Sequence, residues 1–223
     1  MAGKDEFKRP IVTVDIVLLT VADGGLAVAL QKREAEPFRH APALPGGFVH
    51  TDEDGSLDDA VRRILLAKVG LGGIFFEQLA SFAGPARDPR GWSVSIAYFA
   101  LVPREELGET ASGLTLHAVD SLPVLPFDHM EIVRAALMRL RGKGAYSTIP
   151  ARLLPPVFTM GELLATYETV LGARLDQSAF RRKMSDLDLL EEVEGEKRQT
   201  ERAKRPATLY RLKTPMRVFD RRV

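Results

Sequence analysis

The sequence predicts a mixed strand-and-helix protein, α/β or α+β, followed by a small helix-turn-helix part with a basic end. Three observations predict it. Apolar runs of strand period alternate with helical patterns over residues 11–140, two short and well-capped helical patterns follow residue 158, and positive charge gathers beyond Phe180. Residues 181–223 carry 13 Lys and Arg against 8 Asp and Glu, a charge of +5, whereas residues 1–180 carry 18 against 22, a charge of −4. A basic end on an acidic body suits an anionic partner such as nucleic acid; a solvated tail is the alternative on charge alone.

Composition narrows the classes. A chain of 223 residues, 45% hydrophobic and 27% charged, has the make-up of a folded protein of one or two domains. No stretch approaches twenty apolar residues and MAGKDEFKRP has no apolar run, so neither a membrane span nor a secretory signal is expected and the cytoplasm is the expected location. Without cysteine there is no disulfide, thiol nucleophile or thiolate metal site.

The elements follow in order. Ile11 to Val21 is apolar and β-branched, Ala22-Asp23-Gly24-Gly25 supplies a turn, and Leu26 to Gln31 resumes the pattern, which makes a β-hairpin. After Pro37 and Pro42 comes LPGGFV, where Gly46 and Gly47 allow the backbone a close approach to a ligand that a Cβ would forbid. A helix over Ser56 to Val69 ends at Gly70 as a C-cap, and strands are expected at Ile74 to Phe82 and Trp92 to Val102. Asp128 to Leu140 reads as an amphipathic helix with Ile132, Ala135, Ala136 and Leu140 on one side, and residues 142–155 read as a linker. That places a first domain at 1–145 and a second at 146–223.

In the second part, Thr159-Met160-Gly161-Glu162 has the form of a capping box. An apolar stripe of Leu163, Leu164, Tyr167, Val170 and Leu171 follows, closed by Gly172. Asp176 then caps a second helix whose Phe180, Met184 and Leu187 face inward, the spacing of a helix-turn-helix. Gln177, Ser178, Arg181, Arg182 and Ser185 fall on its other side, and all are side chains able to meet base edges, while Lys183 lies toward the flank and suits phosphate. The rest reads as strand, charged loop, strand, with Lys197, Arg198, Arg202, Lys204 and Arg205 as phosphate-contacting charges of a wing. A small helical domain with a solvated hairpin is the alternative.

The run GGFVHTDEDGSL…RRILLAKVGL resembles the Nudix box, the pattern G, five residues, E, seven residues, then R-E-U-x-E-E-x-G-U with U bulky and apolar. Gly47, Glu53, Arg63, Gly70 and Leu71 match it, although nine residues rather than seven separate Glu53 from Arg63, which implies a short insertion. Ile64 stands at the first glutamate, and Ala67 and Lys68 stand at the paired glutamates. Carboxylates at that helical spacing share one face and hold magnesium against a diphosphate, which Ile64 and Ala67 cannot do. Lys68 puts a positive charge where the metal would sit. Hydrolysis of the family's type is therefore not expected, and no catalytic or metal-ligating residue is assigned. Asp52, Glu53, Asp54, Asp58 and Asp59 are the acids from which a displaced metal site would have to be built; a solvated loop and helix N-terminus is the other reading of that run.

A domain without the cleaving carboxylates can still bind a nucleoside diphosphate. RDPRGWSVSIAYFALV resembles a stretch of ADP-ribose-type Nudix proteins and their regulatory relatives, making Arg87 and Arg90 candidates for phosphate oxygens and Trp92 or Tyr98 candidates for an aromatic surface. Arg33, ending the second strand, is a further phosphate candidate. Core packing of both aromatic residues, with solvated arginines, is the alternative. The four histidines, His40, His50, His117 and His129, show no metal-ligand spacing; FDHMEIV resembles the same regulators' final Nudix helix, with His129 in a capping or packing role.

In the order of its parts the chain resembles the Nudix-related transcriptional regulators of NAD metabolism, the NrtR family. The resemblance implies an α+β fold, a Nudix-type α/β/α sandwich with a mixed sheet followed by a winged helix-turn-helix. It also implies ADP-ribose as effector with no cofactor, a homodimer on a palindromic duplex operator, and repression of NAD synthesis or salvage genes. The enzyme alternative is a divergent ADP-ribose or nucleotide-sugar pyrophosphatase, and an RNA-processing or protein-interaction adaptor is a third reading.

Overall fold

Strand β1 (Ile11–Ala22) lies in the middle of the first sheet, and every residue from Val14 to Thr20 is buried. A strand covered on both faces needs the near-continuous apolar run that the sequence supplies. In this computed structural model, residues 9–107, 113–198, 206–214 and 216–223 are described, with only the backbone at 195–197. β1 turns back at Asp23 and Gly24, both at positive φ, into β2 (Gly25–Lys32), as the tight hairpin turn requires.

β3 (Pro42–Ala43) and β4 (Gly46–Phe48) pair with β2 and β1. Helix α1 (Leu57–Val69) follows, capped by Ser56 and closed by Gly70 at a left-handed φ of 73°. β5 (Phe75–Gly84) and β6 (Ser93–Leu101) run antiparallel to each other, with β6 parallel to β1. β7 (Leu114–Ala118) pairs with β2 and completes a mixed seven-stranded sheet. α1 covers the face carrying Val14, Ile16, Leu18 and Tyr98, and α2 (His129–Gly144) covers the face carrying Val17, Leu19, Phe99 and Leu101. This is the expected α/β/α sandwich. The short strands β3, β4 and β7 are additions to the elements expected from the sequence.

The second sheet is three-stranded, with β8 (Phe158–Thr159), β9 (Leu190–Arg198) and β10 (Ala207–Leu212) in the order β8-β10-β9. Against it pack α3 (Met160–Leu171), which begins on the reciprocal capping box of Thr159 and Glu162, and α4 (Gln177–Asp186), capped by Asp176. Phe158, Leu163, Tyr167, Phe180 and Met184 form their core, with the Tyr167 and Phe180 rings edge to face at 5.1 Å. This is the expected winged helix.

Residues 142–155, expected to be a linker, are a packed joint. α2 runs on to Gly144, a 3-10 helix spans Ile149–Leu153, and Ile149 and Leu153 are buried in the same apolar core as α2 and Val170 of α3. The polar stretch RGKG is compatible with helix, and the apolar residues after it give the chain a side to bury. A Cβ at Gly144 would stand 2.9 Å from Val170 Cγ1, so glycine sets the closeness of α2 to α3. Tyr167 closes the joint by donating its hydroxyl to the Ser147 carbonyl at 2.8 Å.

Candidate ligand cleft and nucleic-acid interface

A cleft of about 220 Å³ opens at the ends of β1 and β2 and is lined by Arg33, Gly46, Gly47, Lys68, Arg87 and Arg90, with Asp15 and His129 in its floor. Gly46 has no room for a side chain, since a Cβ there would lie 2.7 Å from the Val14 carbonyl oxygen and closer still to the Asp15 carboxylate. Five of the seven ligand residues expected from sequence therefore meet in one cleft. The other two do not. Trp92 is 52% exposed and lies outside the cleft, and Tyr98, 2% exposed, sits beneath α1 on the other face of β6. There it donates to Asp58 at 3.3 Å, and burial, reinforced by that carboxylate, pushes its hydroxyl up to about 12. The aromatic residues that do line the cleft are Phe48 and Phe127, which carry Arg90 and Arg33 over their rings at 5.2 and 4.8 Å.

The four cations of the cleft are not equivalent. The Arg87 side chain, only 7% exposed, makes a bidentate bond to Asp128 at 2.8 Å through both Nε and Nη2, and lies 3.7 Å from Asp15. Burial works against its charge but these carboxylates hold it, so Arg87 lines the cleft already paired with carboxylates of its own chain. Arg90 is likewise tied to Asp88 at 2.7 Å; burial would push that carboxyl up, but hydrogen bonds from Arg90 outweigh it and hold it below its usual range.

Arg33 and Lys68 differ. Arg33 donates to the carbonyls of Pro37 at 2.9 Å and Ala35 at 3.4 Å, and Lys68 donates to the Gly46 carbonyl at 2.5 Å. Neither forms an ion pair among the described residues. Burial depresses both pKa values, and the repulsion of Arg90 on Arg33, and of Arg33 on Lys68, adds to it. Two cations without carboxylate partners, held in a glycine-backed cleft, match the two charges of a diphosphate bridge.

In the floor, Asp15 accepts from Ser95 at 2.6 Å, and His129 Nδ1 accepts the Leu44 N–H at 3.2 Å. His129 is 3% exposed, and burial lowers its pKa, so it is neutral with its proton on Nε2, 3.7 Å from Asp15. It is the first residue of α2, which agrees with the packing role expected from sequence.

The helix that carries the degenerate box shows what replaced the family's carboxylates. Ile64 is 2% exposed and packs in the α1 core, 3.5 Å from where a Cβ on Gly47 would lie. Arg63 grips Asp54 through two hydrogen bonds of 2.8 and 2.7 Å and the Phe48 carbonyl at 3.0 Å, pinning the inserted loop; that pairing holds the Asp54 carboxyl at about 2. Three of the other four acids are engaged locally, Glu53 with His50, Asp58 with Tyr98, and Asp59 with Ser56 and Arg62, and Asp52 is exposed. Among the described residues no three His, Asp or Glu side chains stand together in a metal-binding group.

On the second domain, Gln177, Ser178, Arg181, Arg182 and Ser185 are all exposed on α4, opposite buried Phe180 and Met184. Lys183 is turned away from that surface. Its ammonium donates to the carbonyls of Arg221 and Arg222 and lies 5.3 Å from the Phe219 ring centre. Arg198, expected in the wing, instead pairs with Glu162 at 2.9 Å and fastens β9 to the start of α3. Lys197 pairs in register with Thr208, its side chain lying outside the described residues, as do Arg202, Lys204 and Arg205 entirely. Sequence reasoning missed Lys68 as a lining residue, Phe48 and Phe127 as the aromatic lining, and the segment after Lys213; the motifs GGF and PFDH were the available signals.

Fold and site together define a Nudix-type domain with a degenerate box, joined to a winged helix. Residues 150–212 match the NrtR DNA-binding winged helix domain. The chain is 38% identical over 214 residues to the ADPR responsive transcriptional repressor NtrR of Acinetobacter baylyi, covering 93% of this chain and 84% of that one. It is 33% identical over 130 residues to the ADP-ribose pyrophosphatase of Methanocaldococcus jannaschii, covering 57% and 73%. Shewanella oneidensis NrtR complexed with a 27mer DNA matches with a TM-score of 0.85 at 35% identity, over 95% of this chain and 99% of that one. The NUDIX domain of the same protein complexed with ADP ribose matches at 0.54, also at 35% identity, over 62% and 93%. The chain belongs to the NrtR family. None of the described helices is long and apolar enough to cross a membrane.

Proposed function

We propose that this protein is a transcriptional repressor of NAD synthesis or salvage genes whose first domain senses ADP-ribose and whose second reads a palindromic operator as a homodimer. The observation that carries the reading is the pair Arg33 and Lys68, two cations without carboxylate partners among the described residues, in a cleft whose chain also presents an exposed Gln-Ser-Arg helix. The diphosphate lies between these two cations, and an adenine or ribose face rests on Phe48 or Phe127. With Ile64, Ala67 and Lys68 at the positions of the family's carboxylates, the cleft binds the ligand without cleaving it.

Coupling runs along α2. Its first turn carries His129 and faces the cleft, and its last residue, Gly144, packs on Val170 of α3. Ligand seated against the floor biases the position of α2, and with it the reading helices of the dimer, which must stand about 34 to 36 Å apart to meet two half-sites one DNA turn apart. Titration of duplex from the chain's own upstream region, with and without ADP-ribose at one fixed salt concentration, tests this reading. Sequence-specific binding that ADP-ribose reverses is the expected result, and binding indifferent to sequence in both conditions contradicts it.

The likeness to an ADP-ribose pyrophosphatase supports a second reading, hydrolysis at a remodelled site. Magnesium-dependent release of AMP from ADP-ribose would establish it.

A further inference from the structure

The segment 217–223 returns from β10 across the joint and is fastened on two sides. Arg217 exchanges hydrogen bonds with Thr148, its N–H donating to Oγ1 at 2.8 Å and its carbonyl accepting the Thr148 N–H at 2.9 Å. Phe219 N–H donates to Tyr146 O at 2.6 Å and Val223 N–H to Ala145 O at 2.9 Å. On the other side, Arg217 Nη1 donates to the Leu187 carbonyl at 3.1 Å, and the Lys183 ammonium of α4 holds the carbonyls of Arg221 and Arg222. Phe219, 5% exposed, plugs the winged-helix core between these anchors.

The backbone of Arg221 and Arg222 is thus fixed against the recognition helix while both side chains are exposed, and neither forms an ion pair among the described residues. With Arg182 and Lys183 they line one shallow concavity of about 640 Å³ beside α4. Asp176, Asp186 and Asp220 also border it, so the excess positive charge is modest. Crowding of like charge is felt within it: burial depresses the Lys183 pKa and Arg221 depresses it further. Cations gathered beside a base-reading helix lower their mutual repulsion by meeting an anion, and a helix seated in the major groove has a phosphate strand along its flank.

We propose that the segment 217–222 is a second DNA-contacting element, which sets the guanidinium groups of Arg221 and Arg222 against the phosphate backbone beside the bases read by α4. The proposal rests on the DNA-binding reading above and adds residues beyond 212, where the match to the winged-helix domain ends. Lys183 is then a positioning residue: it holds the carbonyls of the segment rather than a phosphate. The same segment also bonds to residues 145–148 just after α2, which ties the phosphate contact to the end of the helix that begins at the cleft.

The test is the salt dependence of duplex binding by the full-length chain and by an Arg221→Gln/Arg222→Gln double variant, each measured on an operator fragment and on a random duplex. Each arginine that meets a phosphate contributes about 0.9 to the slope of log K against log salt. The double variant should therefore bind both duplexes more weakly by the same factor, with a slope shallower by about 1.8, the loss of two phosphate contacts. It should keep the wild-type melting temperature and ADP-ribose affinity, and the single variants should divide the change. A double variant with unchanged melting and an unchanged slope overturns the proposal. A loss confined to the operator overturns it as well, since it would make these arginines base readers. If the wild type shows no salt-dependent duplex binding, the DNA-binding reading fails and this proposal with it.

Discussion

Replacing Lys68 by Met removes one of the two cations in the cleft that lack a carboxylate partner while keeping a long apolar stem, so it isolates the charge. The Lys68 ammonium is partly buried, donates to the Gly46 carbonyl and forms no direct ion pair among the described residues, so on the proposed reading it is free to meet a diphosphate oxygen. A hydrogen bond to a charged group contributes about 1.5–3 kcal/mol, which corresponds to a roughly 10- to 150-fold rise in the ADP-ribose Kd. The sign of the pH effect follows from the same residue. Burial lowers the Lys68 pKa, so the ligand-free protein loses this charge as pH rises through the lowered value, and the diphosphate favours its protonated form. Affinity should therefore be full at low pH and fall on the alkaline side in the wild type, with that fall absent in Lys68→Met. Isothermal titration from pH 6 to about 10 reads both effects, and repeating it with EDTA and with magnesium should change nothing if Lys68 supplies the positive charge that a metal would otherwise bring. Wild-type affinity in Lys68→Met, or binding that requires magnesium, refutes the reasoning.

Three further outcomes are expected. Arg181→Ala should relax base preference at one operator position at a cost of about 1 to 3 kcal/mol, read by competition among operator variants; a loss equal for all sequences would move Arg181 to the phosphate-contacting class. Arg87→Met should lower stability to urea by about 3 kcal/mol, because it strands Asp128 and Asp15 without their partner, whereas a purely ligand-gripping arginine would leave the unfolding midpoint unchanged. Thr159→Ala removes half of the capping box on α3 and should cost about 1 kcal/mol of unfolding free energy, with an unchanged midpoint counting against the reciprocal cap.

Helix ends were the most legible part of the sequence. Ser56, Gly70, Thr159 with Glu162, Gly172 and Asp176 all cap where their residue types place them, because a cap is a local interaction between a side chain or a glycine and the nearest backbone. The strands β3, β4 and β7 were not legible, being two to five residues long and, for β4 and β7, held by partners far away in sequence. The joint at 142–155 was read as a linker because its polar and proline-rich letters look exposed; only the docking of α3 on α2 buries Ile149 and Leu153.

In the cleft, residue type identified cations but not their pairing. Arg87 and Lys68 carry the same formal charge, yet Arg87 is in a direct ion pair with Asp128 while Lys68 forms none among the described residues. Strand alternation decided the aromatic residues: Tyr98 falls on the α1 face of β6, while Phe48 and Phe127 come from segments that border the cleft. Lys183 was assigned to phosphate from its helical position, and the segment that captures it lies about forty residues further along the chain, beyond the reach of any local pattern.

The central claim is that ADP-ribose and operator DNA oppose each other through one protein. Linkage requires the factor by which saturating ADP-ribose weakens operator binding to equal the factor by which saturating operator weakens ADP-ribose binding. Measuring both factors in the same buffer tests this directly. The account predicts two equal factors well above one; operator affinity unchanged by saturating ADP-ribose, with both ligands bound together, contradicts it.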